Sequence, residues 1–69
     1  GPMRTRRPLD EVDWDEAARH LVGMFPGATL AEVVARAEAA ATVLESWGKT
    51  RDAEAMRRAA ATVRRRMMH

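Results

Sequence analysis

The sequence predicts an all-α fold, a short first helix followed by an antiparallel helical hairpin, with two such chains assembling as a dimeric helical bundle. Three observations predict it. Apolar residues recur at steps of three and four along three separate segments. Two turn signals, Phe25-Pro26-Gly27 and Gly48-Lys49-Thr50, divide those segments. No stretch shows the apolar–polar alternation of β-branched residues that marks a strand.

The first helix is expected over residues 13–25. Asp13 can cap it and Glu16 follows three residues later, the spacing of a capping box. Trp14, Ala17, Ala18, Leu21 and Phe25 then line one stripe, while Asp15–Arg19 and Glu16–His20 are spaced as i,i+4 pairs. Pro26 cannot continue the helix, and Gly27 turns the chain. The second helix is expected over 29–47, opened by the Thr29/Glu32 capping box and closed at Gly48, which suits a left-handed residue just past a helix end. Its seam, Leu30, Val34, Ala37, Ala41 and Leu44, is widened by Val33, Ala40, Val43 and Trp47. An apolar face that wide exceeds what one neighbouring helix covers, so the second helix is expected at the centre of the bundle. The third helix is expected over 50–67, capped by Thr50, with Ala53, Met56, Ala60, Val63 and Met67 facing the second across a short link. Antiparallel pairing puts Ala37 near Ala60, where facing alanines let the axes approach closely. Gly48, Ala53 and Ala60 resemble the spacing of a single tetratricopeptide unit. The aromatic positions, closing proline and second repeat of that family are missing, so the hairpin reads as generic helical pairing.

Residues 1–12 read as a flexible basic arm and 13–69 as a single helical domain. Gly1-Pro2 ahead of Met3 looks like the remnant of a protease cleavage site, and the native chain is expected to start at Met3. About 67 residues support one small core, and chains of this size bury only ~60% of their unfolded surface. Small folds are usually reinforced by disulfides, metals or a partner chain. There is no cysteine, and His20 and His69 stand in no zinc-like spacing, which leaves self-association. The residues expected to carry it are Leu30, Val33, Val34, Ala37, Ala41, Leu44 and Trp47.

Charge is unevenly spread. Residues 13–47 hold six acids and two arginines, net −4, whereas residues 48–69 hold seven basic residues and two acids, net +5. Such asymmetry points to an interaction surface. On the third helix, Arg51, Arg58 and Arg65 lie seven apart opposite the apolar face, with Arg57 and Arg64 at one border and Arg66 at the other. The plain reading is a solvated face whose arginines suit the helix dipole and cover the core edge. The sharper readings are contact with an acidic protein surface or with phosphates, through Arg57, Arg58, Arg64 and Arg65. Sequence-specific readout of DNA is disfavoured, because the intervening residues are mainly alanine and methionine.

No catalytic, cofactor-binding or metal-binding set is expected. His20 shares a polar stripe with Glu16, and the carboxylates of Asp13-Trp14-Asp15-Glu16 have no third ligand of fixed geometry. Trp47-Gly48-Lys49-Thr50 ends like a phosphate loop, but its upstream glycine is absent and it follows a helix. Trp14 and Trp47 read as core-edge residues, Trp47 being the better candidate to anchor a partner. Met24, Met56, Met67 and Met68 read as adaptable fillers or a pliable contact surface. With neither a ~20-residue apolar run nor a signal peptide in the sequence, a cytoplasmic protein without membrane contact is expected. Abundant alanine and arginine beside a single lysine is the bias of a GC-rich genome, that of a bacterium or its phage. The expected function is a small non-enzymatic interaction module, an accessory protein of a phage or mobile element, that forms a homodimer and binds an acidic partner protein. The alternative is a nucleic-acid-associated accessory protein using the C-terminal arginines and an arm carrying Arg4, Arg6 and Arg7.

Overall fold

The computed structural model describes residues 8–68, so Arg4, Arg6, Arg7 and His69 lie outside the described residues. A 3₁₀ turn, Leu9–Glu11, leads into α1 (Trp14–Gly23), α2 (Leu30–Ser46) and α3 (Thr50–Met67), and no strand occurs among the described residues. The helices start and stop for local reasons. The Asp13 carboxylate accepts from the Glu16 backbone N–H at 3.1 Å and caps α1, one half of the expected box. Both halves form at α2: the Glu32 N–H donates to the Thr29 hydroxyl at 3.1 Å, and the Thr29 N–H donates to the Glu32 carboxylate at 2.8 Å. At the far end of α2, Gly48 has φ +80°. Its N–H donates to the Glu45 carbonyl and that of Lys49 to the Leu44 carbonyl, which together make a Schellman closure. That closure ties Lys49 to α2 while its own carbonyl already accepts from Ala53. Thr50 is therefore the first residue of α3 and Lys49 takes the capping position without a side-chain bond, a correction to the expected Thr50 cap.

Glu32 supplies a test of the α2 cap. Hydrogen bonds from the Thr29 backbone N–H and then its side chain hold the exposed Glu32 carboxyl below the ordinary carboxylate range; some loss of hydration opposes them and the Arg36 charge assists. A folded-state pKa below the unfolded one adds stability above the unfolded value, and that stability is lost as pH falls through the folded one. Glu32→Gln is therefore expected to melt below the unsubstituted protein near neutral pH. The gap in melting temperature should close as pH is lowered past ~4. A gap independent of pH would separate the cap from the Glu32 charge.

The packing centre is α3. It lies against both other helices, whereas α1 and α2 touch little. This corrects the expectation that α2 is central. The reason is the width of α3's covered face: Ala59 and Thr62 are buried beside the Ala53, Ala60 and Val63 stripe. Thr62 can be buried because its hydroxyl donates to the Arg58 carbonyl, one turn back, at 2.8 Å. The core joins Ala18 and Leu21 of α1, Val33, Val34 and Ala37 of α2, and Ala59, Ala60 and Val63 of α3. Its largest fully buried side chains are the two valines Val33 and Val63. Among the described residues no buried side-chain polar atom lacks a hydrogen-bond partner. The core is small, built by close approach of small side chains rather than by bulk.

The segment ahead of α1 is partly pinned. The Trp14 Nε1–H donates to the Leu9 carbonyl at 2.9 Å, fixing the 3₁₀ turn against the start of α1. Residues 9–11 thus leave the expected flexible arm and join the folded unit.

Candidate interaction surface

The seven residues expected to carry self-association divide by burial. Val33, Val34, Ala37 and Ala41 are at most 2% exposed within a single chain, so a second chain reaches them only by opening the bundle. The cause is the wide face of α3, which already covers the α2 seam. Leu30 is half-buried and packs on the core, and Leu44 is half-buried. Trp47 is 68% exposed. The part of α2 open to a partner is therefore its last two turns, not its seam.

This opening follows from helix length. The ten residues of α1 lie beside hairpin arms of 17 and 18 residues, and cannot span them. The start of α1 reaches one arm, and Phe25, just past its end, reaches the other. The Arg58 guanidinium lies 5.9 Å from the Trp14 ring centroid, and that of Arg36 lies 6.0 Å from the Phe25 ring. Near the Gly48 turn the hairpin stays uncovered, and a groove of about 620 Å³ opens there between α1 and the hairpin. Trp14, Leu21, Met24, Leu44 and Met56 give it an apolar lining, and Leu9 and Val12 from the pinned leader close one rim. The large apolar side chains most exposed among the described residues are Met24, Val43 and Trp47. Met24 and Leu44 line the groove, whereas Val43 and Trp47, four residues apart at the end of α2, are not among its lining residues. The groove needs α1 docked on α3, an arrangement that no local sequence signal announces. Trp47, at the border of the α2 stripe, was the one detectable sign of an open surface.

The arginines have mostly intramolecular partners. Arg57 meets Glu45 at 3.0 Å and Arg64 meets Glu38 at 3.5 Å, both across the hairpin, and the two pairs run along one edge as antiparallel helices require. Arg58 meets Glu54 at 3.0 Å within α3, an i,i+4 pair. Arg66 meets Asp15 of α1 at 3.3 Å, so Asp15 is not held by Arg19 as the sequence spacing predicts. The Glu45 hydrogen bond raises the pKa of Arg57 against a small burial effect, so it stays cationic. All four pairs are well exposed, so solvent screens them and each adds little to stability. Their role is chiefly to set helix register. Of the four arginines expected to meet a partner, Arg65 alone has no ion pair among the described residues.

His20 is exposed and lies on the groove edge. Among the described residues no group of three or more His, Cys, Asp or Glu side chains could hold a metal ion. No described helix is long and apolar enough to cross a membrane. No protein-family model matches the chain, and no curated protein or solved structure matches it either.

Proposed function

We propose that this chain is a non-enzymatic interaction module that self-associates through the open end of its hairpin and, as a dimer, binds a further protein. The observation that carries the reading is the exposure of three large apolar side chains, Trp47, Val43 and Met24, on a 69-residue protein that also has an apolar groove, which Met24 lines. Large exposed apolar side chains and concave apolar linings mark contact surfaces, and tryptophan is over-represented among the residues that dominate them. The small core supports the same reading, because a chain with only valines as its largest fully buried side chains gains from covering more apolar surface in a dimer.

The phosphate-contact reading has less support. Arg57, Arg58 and Arg64 are engaged by Glu45, Glu54 and Glu38, and a polyanion has to compete with those carboxylates. The same competition applies to an acidic partner protein, for which Arg65 is the least encumbered contact among the four.

Sedimentation equilibrium tests the reading. The unsubstituted chain is expected to be dimeric at micromolar concentration. Trp47→Ser is expected to weaken dimerisation ~30-fold or more, the effect of removing a central aromatic anchor, with circular dichroism unchanged. A well-folded monomer at all accessible concentrations sinks the proposal.

A further inference from the structure

The groove has a charge polarity that identifies its occupant. Through Val12, Ala17 and His20 it adjoins a smaller depression lined by these residues with Asp13 and Glu16. Through Arg51 and Asp52 it adjoins another, lined by these residues with Gly48, Lys49 and Thr50. The two depressions have no residue in common, so an acidic and a basic stretch adjoin the apolar groove through different residues. The acidic stretch is reinforced by exposed Asp10 and Glu11 on the 3₁₀ turn. No ion pair involves Asp10, Glu11, Asp13 or Glu16 among the described residues. The basic stretch carries Lys49 and Arg51 beside Asp52, which lies in the first turn of α3.

We infer that the occupant of this groove is a second copy of the same chain, related by a two-fold axis near the apolar part, so that the acidic stretch of each copy faces the basic stretch of the other. The inference rests on the self-association proposed above and adds its geometry. A two-fold contact is self-complementary: if one patch meets another, the second meets the first. A surface with acid at one end and base at the other satisfies that condition only in the antiparallel arrangement; parallel alignment sets like charges together, which costs several kcal/mol across an interface. The arrangement also uses Trp47, the most exposed of the large apolar side chains, which immediately precedes the basic stretch. Each copy carries its Trp47 toward the Leu9–Val12 rim of the other, so the groove of either chain is completed by an aromatic from its mate.

Charge exchange between two variants tests this. Lys49→Glu/Arg51→Glu makes both ends acidic, and Asp10→Lys/Glu11→Lys/Glu16→Lys makes both ends basic. Each variant alone is expected to dimerise about tenfold or more weakly than the unsubstituted chain, and an equimolar mixture is expected to recover dimers, read by sedimentation equilibrium. Circular dichroism checks that each variant is folded. Should Glu16→Lys loosen α1, Asp10→Lys/Glu11→Lys cancels the charge of the acidic end from the 3₁₀ turn alone and is expected to weaken dimers in the same direction. Dimers indifferent to either reversal, or folded variants that do not recover on mixing, overturn the two-fold geometry while leaving self-association intact. An unsubstituted chain that stays monomeric overturns both and leaves the groove to a foreign protein.

Discussion

Leu21→Ala is expected to be the most damaging single truncation in the molecule. Leu21 is the largest side chain that α1 buries, 4% exposed, and it joins a cluster with residues of both hairpin arms. Removing it deletes a leucine's worth of burial and leaves a hole whose walls, Val33, Ala37 and Ala60 among them, belong to rigid helices. Leucine-to-alanine changes at such sites cost about 2–5 kcal/mol. The lower half of that range applies, because Leu21 also lines the groove and one wall of the hole is free to relax. A domain of this length has a total stability of only ~3–10 kcal/mol. Urea denaturation followed by circular dichroism should show a midpoint well below that of the unsubstituted chain. Trp14 should meanwhile report α1 leaving the hairpin by a red-shifted emission in a Trp47→Phe background. An unchanged midpoint would mean that the hairpin carries the stability alone.

Ala60→Leu is expected to be nearly as damaging for the opposite reason. Ala60 is 1% exposed and shares the core with Ala37 and Val34 across the hairpin and with Ala18 and Leu21 of α1. Both helix interfaces of α3 pass through this region, so added methyl groups have no free direction to take. Overpacking of this kind costs about 1–3 kcal/mol, occasionally more. The same change at Ala61, exposed on the same turn, is expected to be close to neutral. The informative measurement is the difference between the two thermal midpoints. If Ala60→Leu melts with Ala61→Leu, the α2–α3 axes are not held close by their alanines.

Much of this architecture was legible in the sequence because it is encoded locally. Thr29 and Glu32 announce the start of α2, Gly48 announces its end, and the 50–67 span of α3 coincides with the spacing of its apolar residues. The hairpin follows from the shortness of its link. What local patterns do not encode is which helix sits in the middle. On a helical wheel α2 has the wider stripe of obvious apolar residues, but α3 has a second covered flank made of Ala59 and Thr62. A threonine counts as polar in any pattern, and only its bond to the Arg58 carbonyl lets it be buried. The error about the centre carried over to the surface. With α2 at the centre, its seam looked in need of a partner; with α3 at the centre, Val33, Val34, Ala37 and Ala41 are already covered. The arginines were equally ambiguous. Spacing alone cannot tell a cation facing solvent from one that reaches a carboxylate on another helix, as Arg66 does at Asp15. The groove depends on α1 being too short for the hairpin it crosses, a property of three elements together.

The placement of α3 between its two companions also sets an order of events during synthesis. The ribosome delivers α1 first and α3 last, yet α1 has its main docking surface on α3. Until the final stretch emerges, neither earlier helix has its principal neighbour, and isolated helices of ten to seventeen residues are at best marginal in water. Folding therefore waits for the carboxyl-terminal third of the polypeptide and then completes over short loops, the kind of topology that closes in microseconds to milliseconds. Truncation from that end removes the common support of the other two helices, whereas truncation ahead of Leu9 leaves every described helix its neighbours.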